Sequence, residues 1–145
     1  MLKHYCLLLI AVLLSSNLYA EQKKVFGDYD VHYSVITSTF ITPEVAKNYG
    51  IIRGKNRALV NIAIRKRLAK GASKAQKALV KGSCSDLIHT AELNFKEINQ
   101  QDAIYYIAEL RFNNKEMRTF TIKVQPDSNI AAYTLKFSKT LYIDK

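Results

Sequence analysis

The feature that most constrains this chain is an alternation of apolar and polar residues with a period of two. Tyr29, Val31, Tyr33 and Val35 fall on one side of such a block, and the residues between them are mostly polar. Successive side chains of a β-strand point to opposite faces of the sheet, so the pattern predicts half-buried strands. Five blocks rich in β-branched and aromatic residues show it, at residues 28–35, 58–65, 104–112, 120–124 and 133–137.

The segments between these blocks have the composition of turns. Asn99–Asp102, Asn113–Lys115 and Pro126–Asn129 are short and rich in Asn, Asp and Gln, which favours tight connections between successive antiparallel strands. The first of these turns follows a further predicted strand at Leu93–Ile98. Thr42-Pro43-Glu44 combines a capping hydroxyl, a proline at the first helical position and an acidic residue, and it predicts a short helical turn near residues 43–49.

Residues 66–81 are ambiguous, because an apolar spacing that suits a helix is interrupted by Gly71. We interpret them as a loop through Lys74 followed by a strand at Gln76–Lys81. The total is about seven strands, and two packed sheets bury more apolar surface than one. The sequence therefore predicts a mainly β protein, a single antiparallel β-sandwich of the immunoglobulin-like type, with residues 21–145 as one domain.

The first twenty residues have the pattern of a secretory signal peptide. Lys3 precedes the uninterrupted apolar run Leu7–Leu14, and Ala20 stands before the predicted cleavage site at Glu21. A membrane-spanning helix needs about 20 apolar residues, so the run is too short to be an anchor. We expect residues 1–20 to be removed and the mature chain to have no transmembrane segment. Cys84 is then its single cysteine, and we interpret it as a buried small residue rather than a nucleophile.

The charge is concentrated in one segment. The whole chain has 22 Lys and Arg and 12 Asp and Glu, a net charge of +10. Arg53–Lys81 holds ten basic residues and no acidic one, so it accounts for essentially all of the net charge of the mature chain. We predict a positive patch that attracts anions, provided that these side chains share one side of the fold. The candidate contacts are Arg53, Arg57, Arg65, Arg67 and Lys70.

The basic segment does not fit a nucleic-acid site. It contains no Phe, Tyr or Trp on which bases could stack, and it carries no recognition-helix or zinc-finger motif. Anionic lipid, lipopolysaccharide or an acidic envelope protein suits an exported chain better. The alternative is a solvated loop that only keeps the protein soluble.

Asp28, Asp30 and His32 alternate along one predicted strand and so share a face. With His89 as a further ligand they could hold Zn²⁺ or Mn²⁺, and His32 with a carboxylate could act as an acid/base pair. No nucleophile elbow, zinc-protease motif or phosphate-binding loop accompanies them. We therefore assign no catalytic residue, metal or other cofactor. A small hydrolase or metal-dependent enzyme centred on Asp28, Asp30 and His32 remains the alternative function.

Two stretches carry a family resemblance. Phe26–Ile62 and Leu93–Leu110 resemble the two halves of an uncharacterised family of exported proteins from Gram-negative bacteria, domain of unknown function number 4426. The resemblance implies export to the periplasm and one small domain, and it brings no catalytic residue, cofactor or substrate. Together with the charge pattern, it leads us to expect a non-catalytic periplasmic binding or scaffolding module that contacts an anionic envelope component.

Overall fold

Ten β-strands in two antiparallel sheets form the described part of the chain, residues 22–143 of a computed structural model. The signal peptide predicted at residues 1–20 lies outside the described residues. One helix, α1 (Pro43–Tyr49), and 3-10 turns at Ser38–Phe40 and Ala69–Gly71 are the other elements of these described residues. The strands are β1 (Gln22–Phe26), β2 (Tyr29–Thr37), β3 (Arg57–Arg67), β4 (Ser73–Ala75), β5 (Leu79–Ser85), β6 (Thr90–Leu93), β7 (Lys96–Gln100), β8 (Ala103–Arg111), β9 (Glu116–Gln125) and β10 (Tyr133–Leu141).

The strands divide into a large and a small sheet. The large sheet has the order β1-β2-β3-β8-β7, with β4 paired to the end of β3, and the small sheet has the order β10-β9-β5-β6. Every pairing is antiparallel. The predicted mainly β, antiparallel architecture is therefore confirmed.

The apolar faces of the two sheets meet in one core. The ring of Phe137 stacks on Phe120 of the neighbouring strand, with 4.9 Å between centroids, and contacts Tyr33 of the opposite sheet at 4.5 Å. The core draws on the alternating positions that the sequence identified. Fully buried members include Val31, Val60, Ile62 and Ile64 from the large sheet and Phe120, Ile122 and Val124 from the small sheet.

The prediction of about seven strands is wrong, because short strands and sheet crossings were not visible in the alternation. The predicted strand Leu93–Ile98 instead spans a break between two strands, since Leu93 ends β6 in the small sheet and Lys96 begins β7 in the large one. The connection after β8 likewise crosses from the large sheet to β9 in the small sheet, so these successive strands do not pair. Within this connection Lys115 has a positive φ of 60°.

The segment after residue 65 also differs from its prediction. β3 continues to Arg67, and Ser73–Ala75, expected to be loop, pairs with it as β4. The strand predicted from Gln76 begins only at Leu79. Just before it, the amide of Gln76 donates to the carbonyl of Ile64 (2.8 Å) and the amide of Ala78 donates to the Tyr106 hydroxyl (2.8 Å), contacts with the large sheet.

The predicted helical turn is confirmed as α1. The Thr42 side chain accepts a hydrogen bond from the Val45 amide (3.3 Å), Pro43 is the first helical residue, and Gly50 ends the helix with φ 65°. Arg53 fastens the connection that carries the helix, since its Nε donates to the Ile41 carbonyl at 2.7 Å. This connection joins β2 to β3 at one end of the large sheet.

Replacing Phe120, which is 0% exposed, tests the shared core. We expect Phe120→Ala to lower the free energy of unfolding by about 3–5 kcal/mol, because it removes the ring that packs on Phe137 and leaves a cavity. Urea unfolding followed by circular dichroism measures the change. The control Phe40→Ala removes a ring that is 63% exposed, and we expect a change within about 0.5 kcal/mol. Equal losses in the two variants would contradict this description of the core.

Candidate anion-binding surface

The basic segment contains a projecting hairpin formed by the end of β3 and β4, residues 65–75. Lys66 pairs with Lys74 and Arg67 with Ser73, and the Leu68 amide donates to the Ala72 carbonyl at 2.8 Å. Lys70 lies in the turn with φ 59°. The eleven residues hold five basic side chains and no acidic one: Arg65, Lys66, Arg67, Lys70 and Lys74. We call this element the basic hairpin.

The two arginines of the basic hairpin bind neighbouring parts of the fold. Arg65 donates to the hydroxyl and carbonyl of Ser73 (2.8 and 3.0 Å) and to the carbonyl of Asp102 (3.3 Å). Arg67 forms an ion pair with Asp30 at 2.9 Å and donates to the Gly27 carbonyl. These bonds tie the hairpin to the turn before β2 and to the turn before β8. The guanidinium groups therefore have a structural role as well as a charge.

The three lysines of the basic hairpin have no such partners. Among the described residues, no carboxylate lies within 4.0 Å of the ammonium groups of Lys66, Lys70 or Lys74. Lys66 and Lys74 are directly opposite each other, an arrangement in which like charges repel and destabilise the strand pair. A bound anion would relieve this repulsion. We call Lys66, Lys70 and Lys74 the lysine triad.

The structure brings together only some of the predicted anion contacts. Arg65, Arg67 and Lys70 are in the basic hairpin, whereas Arg57 begins β3 and Arg53 lies in the connection before it. Ten residue steps along a strand separate Arg57 from Arg67 by about 33 Å, roughly four times the screening length of about 8 Å. Sequence reasoning missed Lys66 and Lys74, whose opposition becomes visible only once the hairpin register is known.

Asp28, Asp30 and His32 do not converge on a common point. The Asp30 carboxylate lies between Arg67 and Lys23, at 2.9 and 3.5 Å. Asp28 is in the turn between β1 and β2, and its carbonyl accepts from the Arg67 amide at 2.8 Å. His89 belongs to the other sheet, beside β6. Residues 22–143 contain no group of three His, Cys, Asp or Glu side chains arranged to hold a metal ion.

A cleft of about 720 Å³ opens on the large sheet where β8 diverges from the end of β3. Arg65 and Tyr105 line it together with the turn at residues 100–103, and none of the three candidate ligands does. The Arg65 guanidinium donates three of its five N–H groups to Ser73 and Asp102, so its position in the cleft is fixed by the fold.

Cys84 is buried in the small sheet, with 1% of its surface exposed, as predicted. Burial raises the pKa of its thiol, although Arg118, whose Nη1 is 3.7 Å from the sulfur, acts in the opposite direction. The thiol is therefore largely protonated at neutral pH, which is typical of an unreactive core cysteine.

Comparisons with known proteins identify relatives of this fold. The model of a family described as a domain of unknown function, DUF4426, matches residues 23–144. A DUF4426 family protein from Pseudomonas aeruginosa PAO1 is 35% identical, with a TM-score of 0.75, and the match covers 88% of this chain and 99% of that chain. The resemblance seen in the sequence is confirmed. No curated protein matches the chain.

Two further similar structures are of FetP from uropathogenic Escherichia coli strain F11. A copper-bound variant is 10% identical, with a TM-score of 0.59, over 84% of this chain and 95% of that chain. The as-isolated protein, expressed recombinantly in the periplasm, is 12% identical, with a TM-score of 0.55, over 86% of this chain and 94% of that chain. At these identities the likeness shows the fold alone. Within residues 22–143, no helix is both long and apolar enough to cross a membrane.

We expect added Zn²⁺ to leave the melting temperature unchanged, because Asp30 is already paired with two cations. A zinc site filled at a hundredfold excess over its dissociation constant would stabilise the fold by about 2.7 kcal/mol, a shift of several degrees. Differential scanning fluorimetry with and without EDTA measures it. A rise of several degrees that disappears in His32→Ala would contradict the expectation.

Proposed function

The chain belongs to the DUF4426 family, and from its own residues we propose that it is a non-catalytic binding module whose lysine triad contacts an anionic partner. The observation that carries the proposal is the contrast within the basic hairpin. Its arginines are bonded to the protein, whereas Lys66 opposes Lys74 and none of its three lysines has a described carboxylate within 4.0 Å. Such an arrangement costs stability in the free protein and becomes favourable when an anion binds.

The bonded arginines prepare the basic hairpin for this role. Arg65 and Arg67 fix the hairpin to the turns at Gly27 and Asp102, so the lysine triad is presented on a fixed backbone. Less conformational entropy is then lost on binding, which is the general advantage of a preorganised site. The lysine side chains themselves stay flexible, and as point charges they suit phosphate and carboxylate groups of varied geometry.

The partner classes that fit share this chemistry. Anionic lipid and lipopolysaccharide present phosphates, and an acidic envelope protein presents carboxylates. Residues 65–75 contain no aromatic side chain, so nucleic-acid strands would find no stacking surface there. A scaffolding role, in which the hairpin holds such a component beside another protein, belongs to the same proposal.

The proposal places the protein in the periplasm, as one immunoglobulin-like β-sandwich domain over residues 21–145. Support for the location comes from the signal peptide predicted at residues 1–20 and from the family resemblance. The alternative, a small periplasmic hydrolase or metal-dependent enzyme at Asp28, Asp30 and His32, gains no support, because Asp30 is held by Arg67 and Lys23.

The triple variant Lys66→Gln, Lys70→Gln, Lys74→Gln tests the lysine triad. We expect at least a tenfold loss of affinity for a multivalent anion, because three uncompensated charges are removed together. Surface plasmon resonance at 50 and 200 mM salt measures it on three supports. Immobilised lipopolysaccharide, polyglutamate and glycerophosphate, which is a phospholipid headgroup, distinguish the possible sources of the anion.

The matched control is Lys47→Gln, Lys96→Gln, Lys136→Gln, which removes the same charge from α1, β7 and β10. We expect it to lose less than about threefold, since it lowers only the overall field. Equal losses in the two triple variants would show attraction by net charge and would remove the proposed site. Salt-independent retention on all three supports would also count against it.

Cell fractionation and the mass of the purified protein test the predicted signal peptide. We expect the protein expressed with its full sequence in a Gram-negative host to be released by osmotic shock, with Glu21 as the N-terminal residue by mass spectrometry. Ile10→Arg breaks the apolar run and should leave the uncleaved protein in the cytoplasm. Recovery of the unmodified chain with Met1 intact in the cytoplasmic fraction would contradict the predicted signal peptide.

A further inference from the structure

The turn between β5 and β6 presents two large aliphatic side chains to solvent. Leu87 is 85% exposed and Ile88 is 86% exposed, the highest values among the large apolar residues that the structure describes. They occupy the middle of the turn Asp86–His89, in which the Asp86 amide donates to the His89 carbonyl at 3.1 Å. This hydrogen bond extends the pairing of β5 with β6 by one step, and Leu87 and Ile88 form the two-residue loop of the hairpin.

The backbone of this turn is unusual for its residues. Leu87 has φ 97°, a conformation that normally requires glycine, and it stands at the first of the two central positions, where such hairpins favour glycine. One Asp86 carboxylate oxygen accepts from the amides of Ile88 (3.0 Å) and His89 (2.8 Å). The fold thus holds a leucine outward in a conformation that costs free energy, which points to a role for the exposed side chain.

Two further exposed apolar residues lie at the same end of the small sheet. Met117 of β9 is 48% exposed and Tyr142, just after β10, is 58% exposed. β5 pairs with β9 up to Ser85, and Met117 pairs with Thr140 two residues before Tyr142. The strands β5, β9 and β10 are neighbours, so all four side chains lie at the same end of the small sheet. We call Leu87, Ile88, Met117 and Tyr142 the apolar tip.

The same end of the molecule carries unpaired cations. Arg57 and Arg111 are directly opposite each other at the end of β3 and β8, and residues 112–115 lead from there to β9. Together with Lys55 and Lys115, they have no described carboxylate within 4.0 Å. Exposed apolar side chains with cations around them are complementary to a surface whose interior is apolar and whose boundary is anionic.

We propose that the apolar tip inserts into the boundary of an anionic lipid bilayer. Backbone groups that enter lipid must be satisfied within the protein, and the Asp86 carboxylate does this for two amides of the turn. Tyrosine is favoured at the headgroup level, and lysine and arginine are attracted to anionic headgroups. A bilayer also accepts a small protruding turn without the shape complementarity that a protein pocket requires.

This contact is separate from the lysine triad. The basic hairpin lies at the far end of β3, about 33 Å from Arg57, so a molecule that stands on its apolar tip holds the lysine triad away from the bilayer. The proposal therefore goes beyond the binding module described above and orients it, with the apolar tip on the lipid and the lysine triad directed away from it.

Flotation of the full mature chain with vesicles tests the inference. We expect binding to vesicles of phosphatidylcholine with 30% phosphatidylglycerol, and at least a tenfold loss of partitioning in the double variant Leu87→Asn, Ile88→Ser. Asparagine tolerates the positive φ, so this variant keeps the turn, and an unchanged melting temperature checks its fold. The matched control is Val25→Asn, Leu79→Ser, which removes two exposed aliphatic side chains from the opposite end, outside the basic hairpin, and should bind as the unmodified chain does.

Insertion itself is measured with a fluorescent reporter. The chain has no tryptophan, so Ile88→Trp provides a single probe at the tip. We expect a blue shift on adding the vesicles and quenching by brominated lipid. Vesicle binding without a blue shift would mean attraction by charge alone and would overturn the inference, as would equal binding of the double variant and its control. Failure of the unmodified chain to bind vesicles would also overturn it and would favour a protein pocket as the partner. Loss of binding in the lysine-triad variant instead would assign the lipid contact to the other end.

Discussion

The whole structure depends on the closure of two apolar sheet faces on each other. Each sheet alone would leave one face of Val, Ile and Phe side chains in water, and within residues 22–143 no helix covers that face. The Phe137 ring lies between Phe120 of its own sheet and Tyr33 of the other, so it joins the two layers directly. Hydrophobic burial is non-directional, so it fixes the layers but not the details of the two ends. Those details come from a few hydrogen bonds between distant residues.

The alternation in the sequence was enough to locate the long strands and their inward faces. Residues 29–37 and 57–67 satisfy the pattern because each strand has one face in the core, which is the physical origin of the period. The same pattern could not say which sheet a strand joins. Leu93 at the end of β6 and the start of β7 fell within one predicted strand because only two residues separate them, yet each pairs within a different sheet. Sheet membership is decided by partners far along the chain, which a local pattern does not contain.

The candidate site shows the same limit. Composition alone located the basic segment, but it could not show which of its ten cations are bonded to the protein itself. The ion pair between Arg67 and Asp30 joins residues 37 positions apart, and it distinguishes this arginine from the neighbouring lysines, which have no carboxylate within 4.0 Å among residues 22–143. The opposition of Lys66 and Lys74 depends on a strand of three residues that is too short to show a period. The apolar tip was equally hidden, because Leu87 and Ile88 read as ordinary apolar residues until the turn placed them in solvent.

At both exposed ends, hydrogen bonds from or to one charged side chain hold a short turn in place. Asp86 accepts from two amides and fixes the turn that carries Leu87, while Arg67 binds Asp30 and the Gly27 carbonyl and fixes the basic hairpin. A charged group in such a role is saturated by its own protein, and its charge contributes less to recognition than that of a neighbour left unpaired. The groups available for binding are therefore the ones that these anchors hold outward, the lysines at one end and the aliphatic side chains at the other. Their separation along β3 gives the proposed binding module two different surfaces on one core.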